Sequence, residues 1–146
     1  MSNLDPHIGT WKLNVAKSKF SPVLLAAMKQ TPPKEETVVC REVGADEFEL
    51  AVERTQTDGK PVAVIATFPR QGGAVKIQQG NLPDGMTVVS TKIDPNSSCA
   101  TYMLNGKQVF VAQSVVSKTG KAMRITAKGT DAQGKPFEQV AVLDKQ

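Results

Sequence analysis

The chain has 146 residues, with 18 Lys and Arg against 14 Asp and Glu for a net charge of +4, and is 40% hydrophobic. That balance fits one globular domain over residues 1–146, with a single core. The charge is too small and too dispersed for a nucleic-acid binder, one histidine excludes a His-rich metal site, and no apolar run approaches the ~18 residues of a membrane span.

In chain order, Thr10–Asn14 reads as the first strand. Pro22–Lys29 reads as the one helix. Ser21 caps it, Pro22 takes its first position, and Leu24, Leu25 and Met28 share a face. Thr31-Pro32-Pro33 stops it, because a residue before proline is driven out of the helical region. In a barrel such a segment plugs one end or covers a mouth; an irregular apolar loop is the alternative.

After residue 35 the chain reads as strands divided by turns. The runs are Thr37–Val43, Glu47–Gln56, Val62–Phe68, Ala74–Gln78, Met86–Ile93, Cys99–Leu104, Gln108–Ser117, Ala122–Lys128 and Phe137–Asp144. They are rich in Val, Ile, Thr and Phe, which suit a pleated surface. Asp58-Gly59, Asn105-Gly106 and Thr119-Gly120 each sit between β-type runs, and Asp-Gly and Asn-Gly fit hairpin turns because both of their residues accept positive φ. Short connections make sequence neighbours sheet neighbours. Ten strands in such a meander close into a barrel sooner than leave two long edges.

Alternation shows which side chains face in. Phe48, Leu50, Val52, Arg54 and Gln56 share one face, and Glu47, Glu49, Ala51, Glu53 and Thr55 the other. The first face is inward. Met123, Ile125 and Ala127 face inward on their strand. Val109, Val111, Gln113 and Val115 oppose Phe110, Ala112, Ser114 and Val116, so both faces there are fairly apolar. The outer one is covered by the helix or by another subunit, which leaves a homo-oligomer open.

Eight of the 14 acidic residues fall between Glu35 and Asp58, flanked by basic residues at Lys12–Lys34 and Lys118–Lys128. A solvated asymmetric surface explains them. Nucleophilic catalysis has only His7 as base, and His7 lies in an N-terminal tail ahead of the first strand. No GxSxG, HExxH, P-loop or GxGxxG is present. Cys40 and Cys99 form no CxxC and read as half-buried thiols without a disulfide. Neither a metal nor a cofactor is implied. Met1–Pro6 carries no signal-peptide pattern. The chain as written therefore reads as cytoplasmic, with a secreted mature form as the alternative.

Gly9-Thr10-Trp11-Lys12-Leu13-Asn14 resembles the start of lipocalins and, more closely, of fatty-acid-binding proteins, where Gly-x-Trp opens an up-and-down barrel. The stretches Ala16–Phe20, Val116–Lys121 and Lys128–Pro136 also resemble bacterial lipocalin-like proteins, a resemblance that carries a fold and no activity. It implies a calycin β-barrel with a cavity for a small apolar ligand, and Gly9 and Trp11 as structural residues that close one end. The Arg-x-Tyr pair with which fatty-acid-binding proteins hold a carboxylate is absent: the last strand reads Val140-Ala141-Val142-Leu143-Asp144-Lys145. Arg54 and Tyr102 are the candidate replacements, against Arg54 pairing with a glutamate at the rim and Tyr102 serving as packing.

The expected fold is therefore all-β: a lipocalin-like, up-and-down antiparallel barrel of about ten strands with one short helix after the first. The expected function is binding of a small apolar molecule, lipid or similar, in the barrel. Its candidate ligand contacts are Arg54, Tyr102, Phe48, Leu50, Val52, Met123 and Ile125. A barrel packed shut, serving as an interaction module, is the alternative. An enzyme on the same scaffold is the third reading.

Overall fold

A computed structural model describes residues 6–27, 31–80, 83–131 and 133–146. Its strands are β1 (Gly9–Leu13), β2 (Pro33–Glu42), β3 (Glu47–Gln56), β4 (Pro61–Pro69), β5 (Gly72–Ala74), β6 (Lys76–Gln79), β7 (Met86–Asp94), β8 (Ser97–Leu104), β9 (Lys107–Val116), β10 (Ala122–Thr130) and β11 (Pro136–Lys145). The helix α1 (Pro22–Ala27) lies between β1 and β2, after one 3-10 turn at Val15–Lys17. All eleven strands form one antiparallel sheet in the order β5-β7-β8-β9-β10-β11-β1-β2-β3-β4-β6. The first and last long strands meet, with Trp11 opposite Lys145 and Leu13 opposite Leu143.

The helix begins as its sequence dictates. Ser21 Oγ accepts from the Leu24 backbone N–H at 3.3 Å, and the Ser21 carbonyl accepts from that of Leu25 at 3.0 Å. Leu24 and Leu25 are buried. Met28 and Lys29, expected in the same helix, lie outside the described residues. Leu24 packs with Phe110 and Ala127, and Phe137 lies against that cluster. The helix thus plugs one end of the barrel. It does not cover the outer face of β9, where Gln113 and Val115 remain exposed.

One expected run is two strands. Ala74–Gln78 reads in sequence as a single strand, but Gly72 and Gly73 have φ of +105° and +140°, and the chain swings across to β7 before returning. Gly73 pairs with Ser90 of β7, while Ile77 pairs with Ala66 of β4. The expectation that every sequence neighbour pairs therefore fails here. β4 and β7 are flanked by short strands that straddle a seam. The hairpin at Asn105-Gly106 is as expected, with φ of 52° and 82°, two positive values that match a type I′ turn.

The opening motif has a physical basis. Trp11 is fully buried among Leu13, Val38, Val116, Met123 and Leu143. Its indole N–H donates to the His7 carbonyl at 2.8 Å, which satisfies the one polar atom that the ring carries inward. The Lys145 ammonium sits 5.5 Å from the ring centroid. Gly9, at φ 140°, leaves space for that lysine: a Cβ there would come within 2.8 Å of Lys145 Cε. The 3-10 segment is then laced to β11. Asn14 Nδ2 donates to Asp144 at 3.0 Å, and the Val142 N–H donates to Ser18 Oγ at 2.9 Å.

Two stability changes are expected. Trp11→Phe removes the donor to a buried carbonyl and some ring volume, and should cost about 1–3 kcal/mol in urea denaturation. Gly129→Ala places a Cβ 2.3 Å from the Val109 carbonyl oxygen and 2.9 Å from the Phe137 ring. It should cost about 1–3 kcal/mol through overpacking, read by the same denaturation experiment.

Candidate ligand cavity

Inside the barrel lies a cavity of about 290 Å³. That is close to the lower limit of small-molecule pockets, roughly 300 Å³. Its walls follow from strand alternation. β3 contributes Phe48, Leu50, Val52 and Arg54, and β2 contributes Glu36, Val38 and Cys40. Across the void, β8 supplies Ala100 and Tyr102, β9 supplies Ala112 and Ser114, and β10 supplies Met123 and Ile125. The Phe48 and Phe68 rings stack at 5.5 Å and 5° and form one apolar wall.

Toward the helix-plugged end, the polar groups are few and paired. Arg54 Nε and Nη2 both reach Glu36 Oε1 at 2.5 Å, with Glu36 buried and Arg54 mostly so. Glu36 is in phase with Val38 and Cys40 by strand alternation, so it faces in. The pair is the glutamate partnership expected for Arg54, but it stands on the cavity wall. Tyr102 stacks on Phe110 at 4.3 Å and 15°. Burial pushes its phenol above its ordinary value, because the charged form would lose its water. Its ring counts as half-buried because it fronts the void.

At the opposite end, His7 corrects the expectation of an N-terminal tail. It is buried, and its Nε2 lies 2.8 Å from Ser114 Oγ. The Trp11 indole pins the His7 backbone, and this fixes the imidazole inside. The two side chains have the spacing of a nucleophile and base. Ser114 stands mid-strand between Ser98 and Ile125, where the neighbouring backbone N–H groups serve the sheet. The rest of this end is a rim of Pro69, Arg70, Gly72, Thr91, Lys92 and Ser98. Arg70 Nη2 reaches Glu42 at 2.8 Å, and Lys92 Nζ donates to the Pro95 carbonyl at 3.3 Å.

All seven residues singled out as ligand contacts line this one cavity: Arg54, Tyr102, Phe48, Leu50, Val52, Met123 and Ile125. Gly9 and Trp11 do not line it. Sequence reasoning missed Glu36, His7, Ser114, Arg70 and Lys92. Extending the alternation of Val38 and Cys40 upstream would have found Glu36, and asking what accepts from a buried indole would have pointed upstream of Trp11. The rim has no such signal, since it is assembled from the ends of four separate strands, β4, β5, β7 and β8. Among the described residues no group of three or more His, Cys, Asp or Glu could hold a metal. No helix among them is long and apolar enough to cross a membrane.

No protein-family model matches the chain, and no curated protein does. Solved structures do. A point variant of the fluorescent protein UnaG matches with a TM-score of 0.65 at 14% identity, over 97% of this chain and 96% of that one. Wild-type UnaG matches with a TM-score of 0.62 at 13% identity, over 96% and 97%. The likeness shows that the chain shares the β-barrel fold of UnaG over nearly its whole length.

Tyr102 is the sole tyrosine, so phenolate absorbance reports on it alone. Its titration midpoint should lie above 10.0. A raised folded-state value means that the stability from the buried neutral phenol is whole below the unfolded midpoint. It is lost as pH rises through the folded one. Tyr102→Phe should therefore soften the alkaline fall in the denaturation midpoint, whereas a midpoint at or below 10.0 would place the ring in bulk water.

Proposed function

We propose that this chain is a binding protein for a small, mostly apolar molecule held in the barrel cavity. The observation that carries the reading is the cavity itself, with continuous apolar walls from Phe48 to Ile125 and polar groups gathered at its two ends. This is how small-molecule sites are built: apolar area supplies affinity, and a few placed polar groups fix orientation. The UnaG-like fold agrees with it.

The seven contacts named above would carry the binding. Leu50, Val52, Met123 and Ile125 supply apolar area, and Phe48 supplies a flat wall. Tyr102 offers a hydroxyl, and Arg54 a charge already balanced by Glu36. The volume matches about ten waters at ~30 Å³ each, so the ligand has on the order of a dozen non-hydrogen atoms. A barrel packed shut would have no such space, which weighs against a purely structural module.

Native mass spectrometry of gently purified protein should show an adduct that leaves on denaturation. Binding of the fluorescent probe N-phenyl-1-naphthylamine tests the site. Ala100→Leu adds three carbons to the cavity wall. It should weaken the probe about tenfold or more while the thermal midpoint holds or rises, since the added atoms fill empty space. Unchanged probe affinity would place the probe elsewhere and count against the cavity.

A further inference from the structure

We infer that the cavity takes an uncharged ligand by a hydrogen-bond acceptor, a carbonyl-class oxygen, to which the Tyr102 hydroxyl donates at the helix-plugged end. The apolar remainder of the ligand then lies along Leu50, Val52, Met123 and Ile125. The inference rests on the binding reading above and adds the ligand's charge class and its polar contact.

The first argument is the state of the phenol. Tyr102 lines the cavity and backs onto Phe110, its cross-strand partner on β9. Its hydroxyl makes no hydrogen bond to any described residue. Nor is that oxygen among the sealed polar atoms that lack a partner, so it opens onto free space. The space is the interior void, because desolvation alone raises the phenol above its ordinary value. A hydroxyl inside a protein is normally paired, and what can pair this one is whatever the cavity holds.

Chemistry sets the kind of partner. A phenol oxygen shares a lone pair with its ring, so the group gives a hydrogen bond better than it accepts one, and burial keeps its proton in place. The ligand must therefore present an acceptor. Charge narrows the class further. The ionic groups toward this end are committed to each other, since Arg54 reaches Glu36 through both Nε and Nη2. A ligand carboxylate would share the void with Glu36, and a ligand ammonium with Arg54. Taking either partner from the pair would strand a buried charge. A carbonyl asks for one donor and has no charge to desolvate.

The probes are 2-acetylnaphthalene, 2-isopropenylnaphthalene and 2-naphthoate, which have one shape and differ in the polar end: a carbonyl, no acceptor, and a charge. Equilibrium dialysis at neutral pH reads each Kd. Tyr102→Phe should weaken the ketone about fivefold or more and leave the hydrocarbon within about twofold. The unchanged hydrocarbon, with circular dichroism, shows that the variant keeps its cavity. In the infrared, the carbonyl stretch of the bound ketone should lie lower in the wild type than in Tyr102→Phe, as hydrogen bonding to that oxygen requires. The wild type should bind the naphthoate about tenfold or more weakly than the ketone. Equal effects of Tyr102→Phe on ketone and hydrocarbon, or a carbonyl stretch that does not move, would overturn the Tyr102 contact and leave the binding reading standing. Naphthoate bound as tightly as the ketone would overturn the uncharged class. Binding of none of the three would overturn the binding reading and the inference together.

Discussion

Everything in this barrel depends on β1, a strand of five residues wedged between the second strand and the last. It pairs with β2 along Gly9–Lys12 and with β11 along Trp11–Leu13, and so joins the two halves of the sheet into one continuous wall. At this junction Trp11 lies in the interior, where it is fully buried. A buried indole must find an acceptor, and it finds the His7 carbonyl. That bond draws the preceding segment under the barrel, where His7 reaches Ser114 on β9. One short strand thus joins the two halves of the sheet, seats the largest core side chain and brings His7 to the cavity wall.

The cavity is what remains when this wall is lined mainly by aliphatic side chains. Aromatic content is only 5%, and two of the five phenylalanines stack along one side instead of filling the middle. The polar groups that do face inward are tied to one another, Arg54 to Glu36 and His7 to Ser114. Such pairing is the condition for keeping polar atoms inside an apolar enclosure. The void is therefore apolar along its walls and polar at its two ends.

Much of this was legible in the sequence, and unevenly so. Alternation in Glu47–Gln56 gave the strand bounds and the inward face together, because a half-buried strand repeats every two residues. Asn105-Gly106 gave its turn for the same local reason. The Gly-x-Trp opening pointed to the barrel and to the structural role of its two residues. The break at Gly72-Gly73 was not legible, because which neighbour a three-residue strand chooses is decided by the partners available. Nor was the rim: Arg70 and Lys92 belong to different parts of the sheet, and only the fold brings both to the cavity lining. His7 looked like a tail residue until the acceptor for Trp11 was found.

The seam left by β5 and β6 gives the barrel a mechanical property that a fully laddered cylinder lacks. The sheet begins at β5 and ends at β6, and no ladder joins one to the other among the described residues. Elsewhere, enlarging the circumference would mean breaking interstrand hydrogen bonds. Here the backbone itself spans the gap, crossing from β4 to β5 on β7 and returning through Val75 to β6 on β4. The seam is therefore stitched by covalent bonds where the ladder is missing, and those two crossings limit how far its lips can part.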